Sequence, residues 1–502
     1  MPEPVKAYAE LEKRFARIAK LRGAVGMLHW DQSVVMPRGG AEARGEQIST
    51  LRVLAHELLV APEMAELLDE AQRGSEALDG WQRANLREMA RRHAHATAVP
   101  GDLVEALSRA ITRCETIWRD ARPASDFAML LPSFREVLSL TREMAAARAD
   151  RLGLDLYDAL LDEYDPGRRA EKIDRIFGEL AAFLPALIQE AVERQSARSA
   201  PVPPEGHFPR SVQHALAERL MRTLGFDFER GRLDVSLHPF SGGVPDDSRI
   251  TTRWDEADFA TGLMGVLHET GHALYEQGLP PAWRYQPVGE DRGMTLHESQ
   301  SLIVEMQVCR SRAFISYLAP LLRKAFGRSG PEWEPENLYR LATRVRPGFI
   351  RVDADEVTYP AHVMLRYRLE RAMVAGDLDP ADLPGAWNEG FEALLGIRPP
   401  DDRRGCLQDI HWPDGAWGYF PTYTLGAITA AQLFEAAQRA EPDLQDAIGR
   451  GDFGPLVNWL RREIHGCGCL YEGDELIRRA TGRPLDVATF RRHLEARYLD
   501  AG

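Results

Sequence analysis

The chain has 502 residues, 62 Lys+Arg against 76 Asp+Glu for a formal net charge of −14, and 44% hydrophobic residues. That is the balance of a folded globular protein, long enough to bury a large core and wall off a deep cleft without disulfide or metal staples. Its acidity excludes nucleic acid or an anionic membrane as the main partner, because either demands a net basic face; peptides and small molecules remain.

Five cysteines, Cys114, Cys309, Cys406, Cys467 and Cys469, form an odd, sparse set, and no charged stretch followed by an apolar one opens the chain over Met1–Lys20. The expectation is a reducing cytoplasm. Charged residues break every apolar run before about 18 residues, so no membrane span is expected.

In chain order, apolar residues recur at helical spacing at Tyr8, Leu11, Phe15, Ile18 and Leu21, and again at Ile173, Ile176, Phe177, Leu180, Phe183, Leu184 and Leu187. The fold class is therefore mainly α. Pro/Gly punctuation predicts helices over 4–24, 40–73, 80–96, 101–122, 131–152, 169–198, 209–224, 256–278, 295–326, 336–345, 359–374, 381–395, 426–440, 454–464 and 485–498. Ser199–Pro209 carries four prolines and Gly206; we read it as a surface crossover and treat residues 1–502 as one domain. Beyond it Leu233, Val235 and Leu237 alternate with polar residues, Ser241-Gly242-Gly243 reads as a turn, and Ile250 sits in a second extended run. A small β-sheet is expected there.

Of fourteen histidines, three precede Glu (His56, His268, His297), and only His268-Glu269-Thr270-Gly271-His272 has a second His four residues on. On a helix those imidazoles stack on one face and can reach one ion. Glu269, about 100° round, can hold a metal-bound water without ligating directly. A di-iron bundle also uses Glu-x-x-His but needs two such units, and His272 is the one histidine here with Glu three residues back. A catalytic zinc with two His needs a third ligand and an open position. Glu298 is the best candidate, although its place after Thr295 equally suits a capping box.

These residues resemble the thermostable carboxypeptidase Taq family of HExxH metallocarboxypeptidases. The resemblance covers nearly the whole chain, through His238-Pro239-Phe240, Asp247-Ser248-Arg249-Ile250-Thr251, the HExxH extended by Ala273-Leu274-Tyr275-Glu276-Gln277-Gly278, and His297-Glu298-Ser299-Gln300. It continues through Ile350-Arg351-Val352-Asp353-Ala354-Asp355, Gly405-Cys406-Leu407-Gln408-Asp409-Ile410-His411-Trp412 and Gly418-Tyr419-Phe420-Pro421-Thr422-Tyr423. It implies a helical pincer of two lobes around a long deep cleft, with a small, about three-stranded sheet near the active site. It also implies a homodimer, peptide substrates, and one divalent metal per chain, usually Zn2+ with Co2+ able to serve, held by His268, His272 and Glu298. The implied activity is release of single C-terminal residues with broad specificity, by zinc-activated water attack with Glu269 as general base.

A carboxypeptidase must also grip a terminal carboxylate, for which an Arg fork is suited. Arg351 is the first choice and Arg249 the second; each has Asp neighbours and could instead be a structural ion pair. His411 and Tyr423 are candidate donors to the developing oxyanion, and Tyr419 a candidate substrate contact, although the aromatic crowding around them equally suits packing. His238 and Phe240 either line the cleft or close the sheet turn. His465, Cys467 and Cys469 make a weak second metal signal, and a loop with free thiols is the better reading. The rivals are an oligopeptidase or dipeptidyl carboxypeptidase of the same fold, which an amidated C-terminus would separate, and a catalytically silent metal- or peptide-binding protein, against which the intact Glu269 argues.

Overall fold

The computed structural model describes residues 3–236 and 239–499; Leu237 and His238, both named above, lie outside the described residues. Among those described there are twenty α-helices and three short strands, so the chain is mainly α as the periodicity predicts. Strands β1 (Gly231–Val235), β2 (Phe240–Val244) and β3 (Asp247–Thr252) are ordered β1-β3-β2, with β1 parallel and β2 antiparallel to β3. Ser241-Gly242-Gly243 is not the expected turn but the body of β2, and the chain reverses at Pro245-Asp246. Gly243 takes φ 98°, and a Cβ there would lie 2.1 Å from the Asp247 carbonyl oxygen. The missing Cβ and positive φ of Gly243 let the hairpin close tightly, which a turn signature does not distinguish.

The sheet backs the long helix Phe259–Gly278. Asp258 caps that helix, its carboxylate accepting from the Ala260 and Thr261 amides, and Phe259, Leu263, Val266, Leu267 and Leu274 form its buried face. Thr252 Oγ1 donates to the Gly262 carbonyl at 3.3 Å, fastening β3 to its first turn.

Several boundaries differ from expectation for identifiable reasons. The first helix runs on to Val34, past the expected 24; Gly23 marks not its end but a close approach to β2, where a Cβ would meet Val244 at 3.1 Å. The helix expected over 40–73 is two, Ala41–Val60 and Pro62–Arg73, since Pro62 pushes Ala61 out of the helical region. The helix expected over 295–326 is Met294–Leu302, a π-helical stretch Ile303–Val308, and a separate helix Arg312–Phe326 capped by Ser311. Leu156–Tyr164, Leu444–Gly449 and Gly473–Thr481 are helices that no periodic pattern announced, being too short to show one. Residues 200–209 have no regular structure, consistent with a crossover.

The N-terminal helices enclose a core of their own, around Tyr8, Leu11, Phe15, Leu59, Met64, Leu68 and Met89, apart from the main core. They are tied to the segment after the site helix by polar and aromatic contacts. Trp81 stacks on Trp283 with centroids 5.6 Å apart, Asn85 Nδ2 donates to Gln286 Oε1 at 3.0 Å, and Arg292 Nη1 pairs with the buried Glu88 at 2.8 Å. No helix among the described residues is long and apolar enough to cross a membrane.

Candidate active site

His268 and His272 stand one turn apart on helix Phe259–Gly278, and Glu298 faces them from helix Met294–Leu302. The ligand atoms of the three lie within 4.8 Å of one another, with Glu298 Oε2 3.7 Å from His268 Nε2 and 3.3 Å from His272 Nε2. The two helices approach closely because Gly271 has no side chain: a Cβ there would fall 2.4 Å from the Gln300 carbonyl oxygen and 2.6 Å from Ser301 Cα. Thr295 does not cap the second helix; its hydroxyl donates to Asp165 at 2.6 Å, and no side chain caps at Gly293. Glu298 is thereby released from the capping-box role, and it accepts from Ser301 Oγ at 3.1 Å.

The far side of each imidazole is engaged. His268 Nδ1 lies 2.9 Å from Glu305 Oε2, and Arg310 Nη2 donates to the other oxygen of that carboxylate at 2.8 Å. His272 Nδ1 lies 2.6 Å from His297 Nδ1, and His297 Nε2 lies 3.1 Å from Glu276 Oε1. With both Nδ1 atoms occupied, both Nε2 atoms are directed at the same space, so two imidazoles and one carboxylate suit a divalent ion of the zinc type. Burial works against a charged His268, but Glu298, Glu305 and Glu269 outweigh it and raise its pKa to about 10; burial holds His272 at about 4. Glu269 is raised to about 6, chiefly by burial.

A second cluster forms around Asp409. Arg351 donates through Nε (3.1 Å) and Nη2 (2.9 Å) to Asp409 Oδ1, and the fully buried Arg366 donates through Nε to Oδ2 at 2.7 Å. Two guanidiniums share one carboxylate, which leaves a surplus positive charge in a buried place. Burial and Arg351 together lower His411 to about 4. Tyr423 belongs to this second cluster: its hydroxyl lies 3.0 Å from His411 Nε2 and its ring 4.7 Å from the Arg351 guanidinium carbon. Its helix, Pro421–Ala440, packs on the Glu298 helix, where a Cβ on Gly426 would come 2.9 Å from Glu298 Cβ. Tyr419 stands 5.2 Å from Tyr423 and 5.0 Å from Tyr164, ring to ring.

A family model described as carboxypeptidase Taq (M32) metallopeptidase matches residues 10–498. The chain belongs to that family. It is 37% identical over 505 residues to thermostable carboxypeptidase 1 of Thermus thermophilus, covering 99% of each chain. It is 31% identical over 494 residues to carboxypeptidase 1 of Bacillus subtilis, covering 98% of this chain and 97% of that one. Among solved structures, Trypanosoma cruzi metallocarboxypeptidase 1 matches with a TM-score of 0.97 at 42% identity, over 99% of this chain and 100% of that one. An M32 carboxypeptidase from Deinococcus radiodurans matches at 0.93 and 36%, over 99% of both. The chain is an M32 metallocarboxypeptidase, a peptide hydrolase.

Not every residue singled out in this M32 chain meets the two clusters. Arg249, on β3, is engaged by Asp247 at 2.9 and 2.6 Å and lies 4.4 Å over the Trp30 ring of the first helix. His238 lies outside the described residues. The cysteine loop is structural: His465 is buried against Gly278, its Nε2 2.9 Å from Gln300 Oε1, and Cys467 and Cys469 are free thiols donating to backbone carbonyls. Sequence reasoning did not assign Glu305, His297, Glu276, Asp409 or Arg366. His297, Glu276 and Asp409 sat inside quoted motifs. Glu305, seven residues after Glu298, offered at most the two-turn spacing of one helical face.

Proposed function

We propose that this M32 carboxypeptidase releases single C-terminal residues from peptides with broad specificity, using one Zn2+ per chain at His268, His272 and Glu298, with Co2+ able to replace it. When bound, the ion supplies Lewis acidity to a carbonyl oxygen and lowers the pKa of a water. Glu269 is the general base and later the acid: it takes the proton of the attacking water and passes it to the leaving amine. Its raised pKa suits both halves of that transfer. His411 and Tyr423 direct hydrogen bonds at the oxygen that gains charge. Arg351 holds the terminal carboxylate and Tyr419 lines the substrate path.

The observation that carries this reading is the surplus charge of Arg351 and Arg366 around one Asp409, with Tyr423 beside Arg351 on the helix that packs against Glu298 of the His268–His272–Glu298 cluster. A buried excess cation beside a metal-type cluster suits a substrate ending in a carboxylate, and it favours an exopeptidase over an oligopeptidase. Arg249 is second because Asp247 balances its single charge, whereas Arg351 and Arg366 divide one Asp409 between them. The 502 residues act as one catalytic domain. Five free cysteines support a reducing cytoplasm, and the homodimer rests on the family resemblance.

Metal analysis joined to a peptide-ladder digest tests the proposal. The expected result is about one ion per chain, activity lost to chelator and restored by zinc or cobalt, and a ladder of single-residue steps on free-acid peptides. Full activity without metal, or equal cleavage of amidated peptides, overturns it.

A further inference from the structure

The segment that carries Glu298 does not finish as an α-helix. From Ile303 to Val308 it widens into a π turn, the Cys309 amide reaching back five residues to the Val304 carbonyl at 2.9 Å. The chain then breaks away: the Ser311 amide turns to Val308 O at 2.9 Å, and Ser311 Oγ caps the next helix. Among the described residues, no backbone amide beyond the turn donates to the carbonyls of Met306 and Gln307. Orphan carbonyls at a buried helix end need donors from elsewhere.

Arg497, on the last helix, Val487–Tyr498, supplies both. Its Nη1 donates to Met306 O and its Nη2 to Gln307 O at 3.0 Å, while Nη1 also reaches Glu356 Oε2 at 2.9 Å. Glu356 is fully buried and anchors the fork, held in addition by His493 (2.8 Å), Tyr498 (2.7 Å) and the side chain of Gln307 (3.1 Å).

Glu305, midway along the same π turn, is the carboxylate at His268 Nδ1. Its direction depends on the turn. Refolding the turn into an α register would remove the extra residue and rotate Glu305 by up to about 100°. We propose that Arg497 is a positioning residue for the metal site: by closing the Met306 and Gln307 carbonyls it holds the π turn, and so aims Glu305 at the back of His268. This rests on His268 being a metal ligand, and it assigns to the C-terminal helix, far along the chain, a part in metal retention.

The test measures zinc affinity by competition with a chromophoric chelator, and the visible absorption of the Co2+-loaded protein, in the full chain. Arg497→Gln and Glu305→Gln should each weaken zinc binding by about 10–100-fold and shift the cobalt bands. The double variant should lose no more than the worse single one, because both act on one contact. Arg497→Lys should restore part of the affinity, one ammonium reaching one of the two carbonyls. Tyr498→Phe, which removes a Glu356 contact and leaves the carbonyl contacts, should lower the melting temperature yet keep zinc affinity. Unchanged zinc affinity and cobalt bands in folded Arg497→Gln, or additive losses with Glu305→Gln, overturn the proposal. Should Arg497→Gln fail to fold, Arg497→Lys decides alone, and affinity equal to that of the unmutated protein overturns it. His268→Ala separates the premise: if it retains full zinc affinity, the metal-site reading itself fails, whereas lost affinity there with intact affinity in Arg497→Gln removes only the role of Arg497.

Discussion

Glu269 and Glu298 are both carboxylates beside the same two histidines, and their surroundings ask different things of them. Glu298 is buried with Oε2 against both Nε2 atoms, which hold its pKa below the usual range despite burial, whereas burial raises Glu269 to about 6. Glu269→Gln should therefore keep metal and lose about 10²–10⁴-fold in kcat, while Glu298→Gln should lose metal; metal analysis beside kcat distinguishes them, and equal metal loss in both sinks the division of roles. Arg351→Ala should cost about 2–5 kcal/mol in kcat/KM on free-acid peptides and collapse the ratio of free-acid to amidated cleavage. Arg249→Ala should leave that ratio intact, since Asp247 already balances its charge; the reverse pattern would make Arg249 the anchor.

The Phe259–Gly278 and Met294–Leu302 helices form the site only because their backbones nearly touch. Gly271→Ala places a Cβ 2.4 Å from one backbone atom and 2.6 Å from another, neither at the end of a flexible side chain. It should cost about 1–3 kcal/mol of stability and weaken zinc binding. Gly265→Ala, six residues earlier on the same helix, meets nothing within 4 Å and should be neutral or stabilising by up to about 1 kcal/mol. Denaturant unfolding with a zinc titration checks the pair, and equal behaviour would show that the close approach does not hold the site together. The sequence suggested one long helix over 295–326, and nothing in its apolar pattern betrayed the π turn: the break is sustained by Arg497, nearly two hundred residues away, and by the Ser311 cap.

Across the whole molecule, the fold keeps several histidines neutral. His465 is held at about 3 and His411 at about 4, both chiefly by burial, and His362 lies well below its ordinary value for the same reason and because of Arg366. An unfolded histidine titrates near 6.5, so below that pH the unfolded chain binds protons that the folded chain refuses. Stability should fall as pH drops from 6.5 towards 4, by up to about 1.4 kcal/mol per pH unit for each such group. His465→Gln can keep the contact to Gln300 and should flatten that slope by about one proton; unfolding midpoints at several pH values, with chelator present, measure it. An unchanged slope would mean that His465 does not stay neutral in the fold.

The helical class, the small sheet and the two imidazoles on one face were legible from residues alone, because apolar periodicity and i, i+4 spacing are local geometry that a helix reproduces wherever it sits. Its place 26 residues after His272 offered Glu298 as either ligand or cap, and motif resemblance favoured the ligand; only resemblance singled out Arg351 among 62 basic residues. Only the tertiary structure decided the rest: that Thr295 turns to Asp165 and frees Glu298, that Asp409 is shared by Arg351 and Arg366, that Glu305 and His297 back the two histidines, and that Gly243 lies in a strand. Each of those depends on which atoms of distant segments come within about 3 Å, and hydrogen bonding across such separations leaves no period in the sequence to read.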